Sequence, residues 1–308
     1  MVDGLRLDGH VAIVTGAGAG LGRAEALALA GAGARLVLND LSEAPLHEVA
    51  DEITAAGGEA VVCPGDVGAW DTGQALLASA VDTFGRLDIL VNNAGVLRDR
   101  MVFSMSADEW DLVLRVHLRG HFITTRFATA YWRERSKAKS GPVYARIVNT
   151  SSEAFLLGSA GQPNYAAAKA GIVALTLATA RGCASYGVRA NVICPRARTA
   201  MTAGLMGPGP DDATDPLSPS HVAPLVVYLA GPAAARITGE VFVVHGDVAA
   251  VLAPPTVRAA ARSGDAESWS VVALHEAFGP LFPDAQPRPG FVCEATLPLS
   301  AATLGESS

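Results

Sequence analysis

The chain has 308 residues, half of them hydrophobic, and a formal net charge of −7. Those figures exclude a disordered chain, allow one large domain or two small ones, and argue against nucleic acid as the main partner. No apolar run reaches the ~18 residues that span a bilayer, residues 1–10 hold no signal-peptide core, and no membrane partner is expected. Cys63, Cys183, Cys194 and Cys293 show no CxxC spacing. They are read as inert thiols of a soluble cytoplasmic protein.

Short β-rich runs alternate with longer Ala/Leu-rich stretches. "HVAIVTG" (10–16) is a buried-strand pattern, and "GLGRAEALALAGAG" (20–33) follows as a helix closed by glycines. Further strands are predicted at 34–40, 59–66, 87–95, 145–152, 188–195 and 237–246, and further helices at 43–58, 71–85, 107–135 and from about 162 to 186. Continuous apolar strands separated by helices imply an α/β fold with a parallel sheet covered on both faces. Residues 203–220 are rich in Gly, Pro and Asp and are read as a loop that folds over a substrate as a lid. Residues 1–247 form the catalytic domain in this reading. Residues 248–308 are a loop-rich extension, with a short helix at 270–282, packing on the main body or a partner subunit.

"TGAGAGLG" (15–22) joins the first strand to the first helix. Glycines there allow a tight turn and let backbone amides approach a pyrophosphate at a helix N-terminus. Gly16, Gly20 and Gly22 are spaced more widely than in G-x-G-x-x-G, so that fingerprint is not met. Gly16, Ala19, Gly20 and Leu21 are the candidate contacts. Asp40 ends the second strand, where a carboxylate can accept from both hydroxyls of an adenosine ribose and repel a 2′-phosphate. With Leu41 beside it and no Lys or Arg at 41–42, the pattern favours NAD over NADP. In "NYAAAK" (164–169), Tyr165 and Lys169 stand one helical turn apart. An ammonium beside a phenol favours the phenolate, but the pair by itself fits a surface pair as well as a catalytic base.

The whole set, "TGAGAGLG", "GDV" (65–67), "NNAG" (92–95), "NTSS" (149–152), "YAAAK" (165–169) and "PRART" (195–199), resembles the short-chain dehydrogenase/reductase family over roughly residues 8–247. The resemblance implies a Rossmann-type, doubly wound, seven-stranded sheet and a nicotinamide cofactor. It places Asp66 and Val67 at the adenine, Asn93, Ala94 and Gly95 on the ribose side, and Pro195 and Thr199 toward the nicotinamide. It makes Tyr165 the catalytic base and Lys169 the residue that lowers its pKa and holds the ribose. Ser152, thirteen positions before Tyr165, steadies the substrate oxygen in preference to Ser151.

Three departures stand out. Where the family has a catalytic asparagine seven positions after a tryptophan, Trp110 is followed by His117; the family's Pro-Gly is Pro195-Arg196; and the following threonine comes one residue early. All three resemble the dehydrogenase part of peroxisomal-type multifunctional enzymes and related bacterial proteins, which oxidise 3-hydroxyacyl-CoA and, in some members, 17β-hydroxysteroids. No hydratase or sterol-carrier segment is recognisable, so a stand-alone dehydrogenase is expected. His117 is read either as the holder of a proton-exit water behind Lys169, titrating near pH 6.5, or as a core histidine bonded to a backbone carbonyl. A metal reading of His117 and His121 is rejected for want of a third ligand.

The small-molecule substrate, acyl-CoA or steroid, stays open. Phe155, Leu156 and Leu157 fit an apolar pocket or ordinary core, and Arg98, Arg100, Arg119, Arg196 and Arg198 fit a CoA phosphate site or solvated surface. A 3-oxoacyl thioester reductase of fatty-acid synthesis type and a non-catalytic NAD-binding regulator are the alternatives. The apolar helices at 107–135 and 162–186, paired between subunits in the family, lead to the expectation of a homodimer or homotetramer.

Overall fold

Buried apolar runs set the frame. β1 (Val11–Thr15), β2 (Arg35–Asn39), β3 (Ala60–Val62), β4 (Ile89–Asn92), β5 (Ala145–Thr150), β6 (Val188–Pro195) and β7 (Val241–His245) pair in parallel in the order β3-β2-β1-β4-β5-β6-β7. The computed structural model describes residues 5–202, 207, 215–264, 268–283, 292, 293 and 296. Alternate side chains serve opposite faces of the sheet. Ala12 and Val14 of β1 join a core with Leu29, Leu36, Leu38 and Val226, whereas Val11 and Ile13 join one with Leu76, Ala80 and Trp132. The first core lies under α1 (Gly20–Gly31), α2 (Glu43–Ala55) and α8 (Ala223–Ala230). The second lies under α3 (Trp70–Phe84), α5 (Gly120–Lys139) and the end of α7 (Pro163–Gly182). This is the doubly wound Rossmann-type arrangement.

Among the described residues the sheet has eight strands, not seven. β8 (Val248–Val251) turns back antiparallel on β7, with His245 opposite Val248 and Val243 opposite Ala250. The reversal takes two residues, Gly246 and Asp247, and Gly246 supplies a φ of +50° that other residues reach only with strain. The sheet therefore extends beyond residue 247. In the region of the lid reading, residues 203–206 and 208–214 lie outside the described residues. No helix among the described residues is long and apolar enough to cross a membrane.

The stretch read as one helix at 107–135 is interrupted. A capping box between Ser106 and Glu109 starts α4 (Ala107–Leu114), a π turn occupies Arg115–Arg119, and α5 continues to Lys139. The amide of Gly120 reaches back to the carbonyl of Arg115, so the turn holds one residue more than an α turn. This wide turn lies against the β3–α3 connection: Arg115 pairs with Asp66, and a methyl added at Gly120 would stand 2.9 Å from Val67 Cγ2.

One buried group on α1 is electrostatically exceptional. Glu25 is fully buried, and neither carboxylate oxygen has a hydrogen-bond partner among the described residues. Burial pushes its pKa up to about 8. A folded-state value above the unfolded one means the folded protein holds the proton more tightly. That stability is complete below the unfolded pKa and is lost as pH rises through the folded value. Wild type is therefore expected to melt at a lower temperature at about pH 8.5 than at about pH 5. Glu25→Gln, which keeps the shape without the charge, should melt higher than wild type at the upper pH by an amount worth a few kcal/mol. The gap should shrink at the lower pH. Thermal scans at both values check this, and a gap independent of pH would absolve Glu25.

Candidate active site

The carboxyl ends of β1 and β4, where strand order reverses, are fastened to each other. Thr15 Oγ1 accepts from the amides of Asn93, at 3.0 Å, and Ala94, at 3.2 Å, while Asn93 Nδ2 donates to the carbonyls of Thr15 and Gly16 at 3.2 and 3.3 Å. The contact leaves no room for side chains. Gly16 has a φ of +67°, and a methyl on it would stand 2.8 Å from Ala94 Cα; a methyl on Gly22 would stand 2.1 Å from the Gly16 carbonyl oxygen. The loop is thus a bare-backbone cradle at the N-terminus of α1, which fits a dinucleotide's pyrophosphate. Ala19 precedes the helix in an extended conformation, and Leu21 packs on the core behind it.

Asp40 faces this cradle. Its Oδ2 accepts from the Gly18 amide at 3.1 Å and its Oδ1 from the Leu41 amide at 2.7 Å. One carboxylate thus ties β2 to the glycine loop. Asp66 accepts from the Gly68 amide at 2.8 Å and pairs with Arg115. Burial opposes its charge, but the Arg115 hydrogen bond, the Gly68 amide and the nearby guanidinium groups hold its carboxyl below the usual range. Val67 is buried beside it. From the other side Thr199, in the segment after Pro195, comes within 3.1 Å of the place a Gly20 methyl would take. The early threonine still reaches the loop.

Tyr165 and Lys169 stand on the first turns of α7, which starts at Pro163. Asn164 fixes that start. It is fully buried, its Nδ2 donates to the carbonyls of Arg98 and Glu109 at 3.0 and 3.1 Å, and its Oδ1 accepts from the Tyr165 amide at 2.7 Å. Sequence reasoning passed over this residue, although it stands beside the tyrosine in "NYAAAK". Lys169 Nζ donates to the Thr150 carbonyl at 2.7 Å and lies 5.2 Å from the centroid of the Tyr165 ring. The two adjacent serines differ. Ser151 Oγ is taken by the Lys169 carbonyl at 2.9 Å, whereas Ser152 Oγ accepts from the Ala154 amide at 3.2 Å and lies close enough to the Tyr165 phenol to favour its ionisation.

Burial governs the ionisation here. It pushes the Tyr165 phenol up to about 12, against the influence of Ser152, and the Lys169 ammonium down to about 7. The sequence expectation of a depressed tyrosine pKa does not hold in this pocket. Removing both groups from water disfavours each charged form more than the pair's proximity favours it.

His117 is buried in the π turn. Its Nε2 lies 2.8 Å from the Val96 carbonyl oxygen and 3.0 Å from the Val96 amide, its ring packs edge-on to Tyr165 at 5.2 Å, and Gly95 lies directly beneath it. Nδ1 has no hydrogen-bond partner among the described residues. Burial, followed by the charge of Lys169, holds its pKa well below 6.5, and the same causes bring buried His121 to about 3. Both rings are neutral in the physiological range. His117 therefore has the main-chain bond of a core histidine and, because its pKa is depressed, does not titrate near pH 6.5.

On the substrate side, α6 (Ala154–Leu157) begins one residue beyond Ser152, after Glu153, and Phe155 packs on Val192, Cys194 and Val243 as core. Met101, Val102 and Phe103 form an apolar lip, 44%, 73% and 83% exposed, on the connection whose Asp99 accepts from Gln162 at 2.9 Å. Three of the five arginines considered for a phosphate are already engaged. Arg100 pairs with Glu109 at 3.2 Å, Arg196 with Glu153, and Arg198 with Asp215 at 2.8 Å. No group of three or more His, Cys, Asp or Glu among the described residues could hold a metal ion.

The profile of the short chain dehydrogenases matches residues 10–206, and the chain belongs to that family. It is an oxidoreductase acting on the CH–OH group of a small molecule with a nicotinamide cofactor. Among its relatives is hydroxyacyl-CoA dehydrogenase ChsB1 of Mycobacterium tuberculosis, 54% identical over 294 residues, which cover 92% of each chain. Peroxisomal multifunctional enzyme type 2 of Mus musculus is 42% identical over 238 residues, 74% of this chain. This chain spans only about a third of that protein's length, as the match covers 31% of it. A short chain dehydrogenase from Mycobacterium avium, solved by crystallography, superposes with a TM-score of 0.81 and 45% identity over 91% of this chain and 96% of that one.

Proposed function

We propose that the protein is an NAD-dependent 3-hydroxyacyl-CoA dehydrogenase in which Ser152, Tyr165 and Lys169 carry the chemistry. The observation that carries this reading is the grouping of Ser152, Tyr165 and Lys169, with Lys169 Nζ 5.2 Å from the Tyr165 ring, on the same edge of the sheet as the glycine cradle. The likeness to the M. tuberculosis protein supports the substrate class. So does the apolar lip at Met101–Phe103, which suits an acyl chain. Arg98 and Arg119 are exposed and remain for the phosphates of CoA. Asp40, with no basic neighbour, favours the ribose hydroxyls of NAD over a 2′-phosphate.

When bound, the nicotinamide ring accepts or gives the hydride. The chain's own residues do the rest. Ser152 donates to the substrate oxygen and steadies the carbonyl as it forms. Tyr165 takes the hydroxyl proton as the carbon loses hydride and returns it in the reverse direction. Lys169, with a pKa of about 7, exchanges a proton near neutrality next to the tyrosine. A phenol at about 12 keeps its proton through the neutral range, so the phenolate that accepts the hydroxyl proton becomes more populated as pH rises, and oxidation should speed up with rising pH.

The purified protein is expected to reduce NAD, and hardly NADP, with 3-hydroxyacyl-CoAs. Tyr165→Phe should lose roughly 10²–10⁴-fold in turnover while still binding NAD by fluorescence titration. Turnover confined to hydroxysteroids would replace the substrate, NADP preference would overturn the Asp40 reading, and an unimpaired Phe variant would remove Tyr165 as the base.

His117 belongs to this site as a positioning residue. Its Nε2 is bound to Val96, and its unpartnered Nδ1 can hold a water that passes protons from Lys169 outward. His117→Asn, which can still hold such a water, should keep most of the turnover, and His117→Ala should lose at least about tenfold. NMR titration of wild type should show no His117 transition between about pH 6 and pH 8. Full activity in the Ala variant would leave His117 as packing alone.

A homodimer or homotetramer fits the face bearing Leu114, Leu118 and Phe122, with Phe122 45% exposed. Sedimentation velocity at micromolar concentration should show no monomer.

A further inference from the structure

The residue after the candidate serine is bound to the far end of the chain. Glu153 is buried, its carbonyl accepts from the amides of Leu156 and Leu157 at 2.8 and 3.0 Å, and it thereby starts α6. Its carboxylate receives a two-pronged bond from Arg196, Nε to Oε2 at 2.6 Å and Nη2 to Oε1 at 2.9 Å. The same Nη2 also donates to the carbonyl of Thr296. Arg196 is anchored at its base, where its amide donates to the Val244 carbonyl at 3.0 Å. Thr296 is 2% exposed and its Oγ1 donates to the Cys293 carbonyl at 3.3 Å, while the Cys293 amide donates to the Leu156 carbonyl of α6 at 2.9 Å.

The guanidinium thus meets three acceptors on two segments far apart in the chain, Glu153 on one and Thr296 on the other. A planar fork is suited to this, and a lysine ammonium, a point charge, is not. Neither charge is left over for substrate, so the pair does not serve as a phosphate site. Its geometry serves to hold α6, with its partly buried Leu156 and Leu157, between the serine loop and residues of the tail.

We propose that Arg196 is a positioning residue that ties the carboxyl-terminal segment at Cys293 and Thr296 to the Ser152–α6 segment, making that segment part of the substrate-binding wall. The inference rests on the reading of Ser152 as the substrate-oxygen contact. It assigns the tail a part in substrate affinity and none in cofactor binding.

The test uses the full chain with three variants, Arg196→Met, Arg196→Lys and Glu153→Gln. Hydrogen exchange read by mass spectrometry follows the Cys293 amide, and kinetics separate KM from kcat. In Arg196→Met the Cys293 amide should lose protection, and KM for the secondary alcohol should rise about tenfold or more, as expected when a charged hydrogen-bond network is cut. NAD affinity should stay within about twofold and certify the fold. Arg196→Lys should fall between Met and wild type, and Glu153→Gln should raise KM without fully exposing the Cys293 amide. Unchanged exchange at Cys293 in the Met variant would overturn the tie, and raised exchange with an unchanged KM would overturn the role in binding. The exchange arm needs no substrate. A wild type that oxidises no hydroxyacyl-CoA therefore fails the functional reading alone, and KM is then taken on whichever secondary alcohol the protein does oxidise.

Discussion

The register of α7 on β5 is the constraint on which the rest of the site depends. Three buried contacts set it: Ser151 Oγ to the Lys169 carbonyl at 2.9 Å, Lys169 Nζ to the Thr150 carbonyl at 2.7 Å, and Asn149 Nδ2 to Thr176 Oγ1 at 2.8 Å. A slip of the helix would leave several buried polar groups unpaired, each costing about 1–3 kcal/mol. From this seam the order spreads sideways. Asn149 accepts from Asn92 of β4 at 2.9 Å, and the residue after Asn92 is the one that clamps the loop following β1. The spacing between the reacting side chains and the cofactor cradle is thus fixed by side-chain bonds that run across three strands.

This design separates polar groups by depth. In the interior, Lys169, His117 and His121 are pushed toward their neutral forms and Tyr165 keeps its proton, all chiefly through loss of water. Formal charges sit nearer the rim and in pairs: Asp66 with Arg115, Glu153 with Arg196, Arg198 with Asp215. The rim pairs join segments that are distant in sequence, whereas the neutral interior groups work by hydrogen bonding. A low-dielectric pocket of this kind makes any charge that forms during reaction strongly dependent on the few dipoles aimed at it.

Much of this was legible in the residues, for reasons that also explain what was not. The parallel strands are buried on both faces, so they read as unbroken apolar runs, and β6 was read to the residue. β8 was missed although Gly246-Asp247 is a hairpin signal, because "VAAV" is short and half alanine. Ala223–Ala230 was passed over because Pro224 and an all-round apolar composition carry no helical phase. The spacing of Ser152, Tyr165 and Lys169 was readable, since one helical turn and one loop connect them. The Arg196–Thr296 and Asn164–Arg98 contacts were not, because they join positions far apart in the chain and leave no local pattern. The direction of the Tyr165 shift was misread because proximity to a lysine is visible in sequence and depth of burial is not.

The π turn at Arg115–Arg119 has a consequence for how this stretch tolerates change in length. An α-helix advances about 100° per residue, so one extra residue rotates everything after it by that much. Val113 before the turn and Ile123, Phe127 and Trp132 after it are all buried, yet no single helical phase running through the turn need connect them. The wide turn absorbs the mismatch, acting as a joint between two helical registers. A residue gained or lost elsewhere in 107–139 would turn one apolar face out of the core, while at 115–119 the same change can be taken up by the turn itself. When this stretch is aligned with relatives that have a regular helix here, the gap belongs within those five residues, and the two halves are best compared as separate helices.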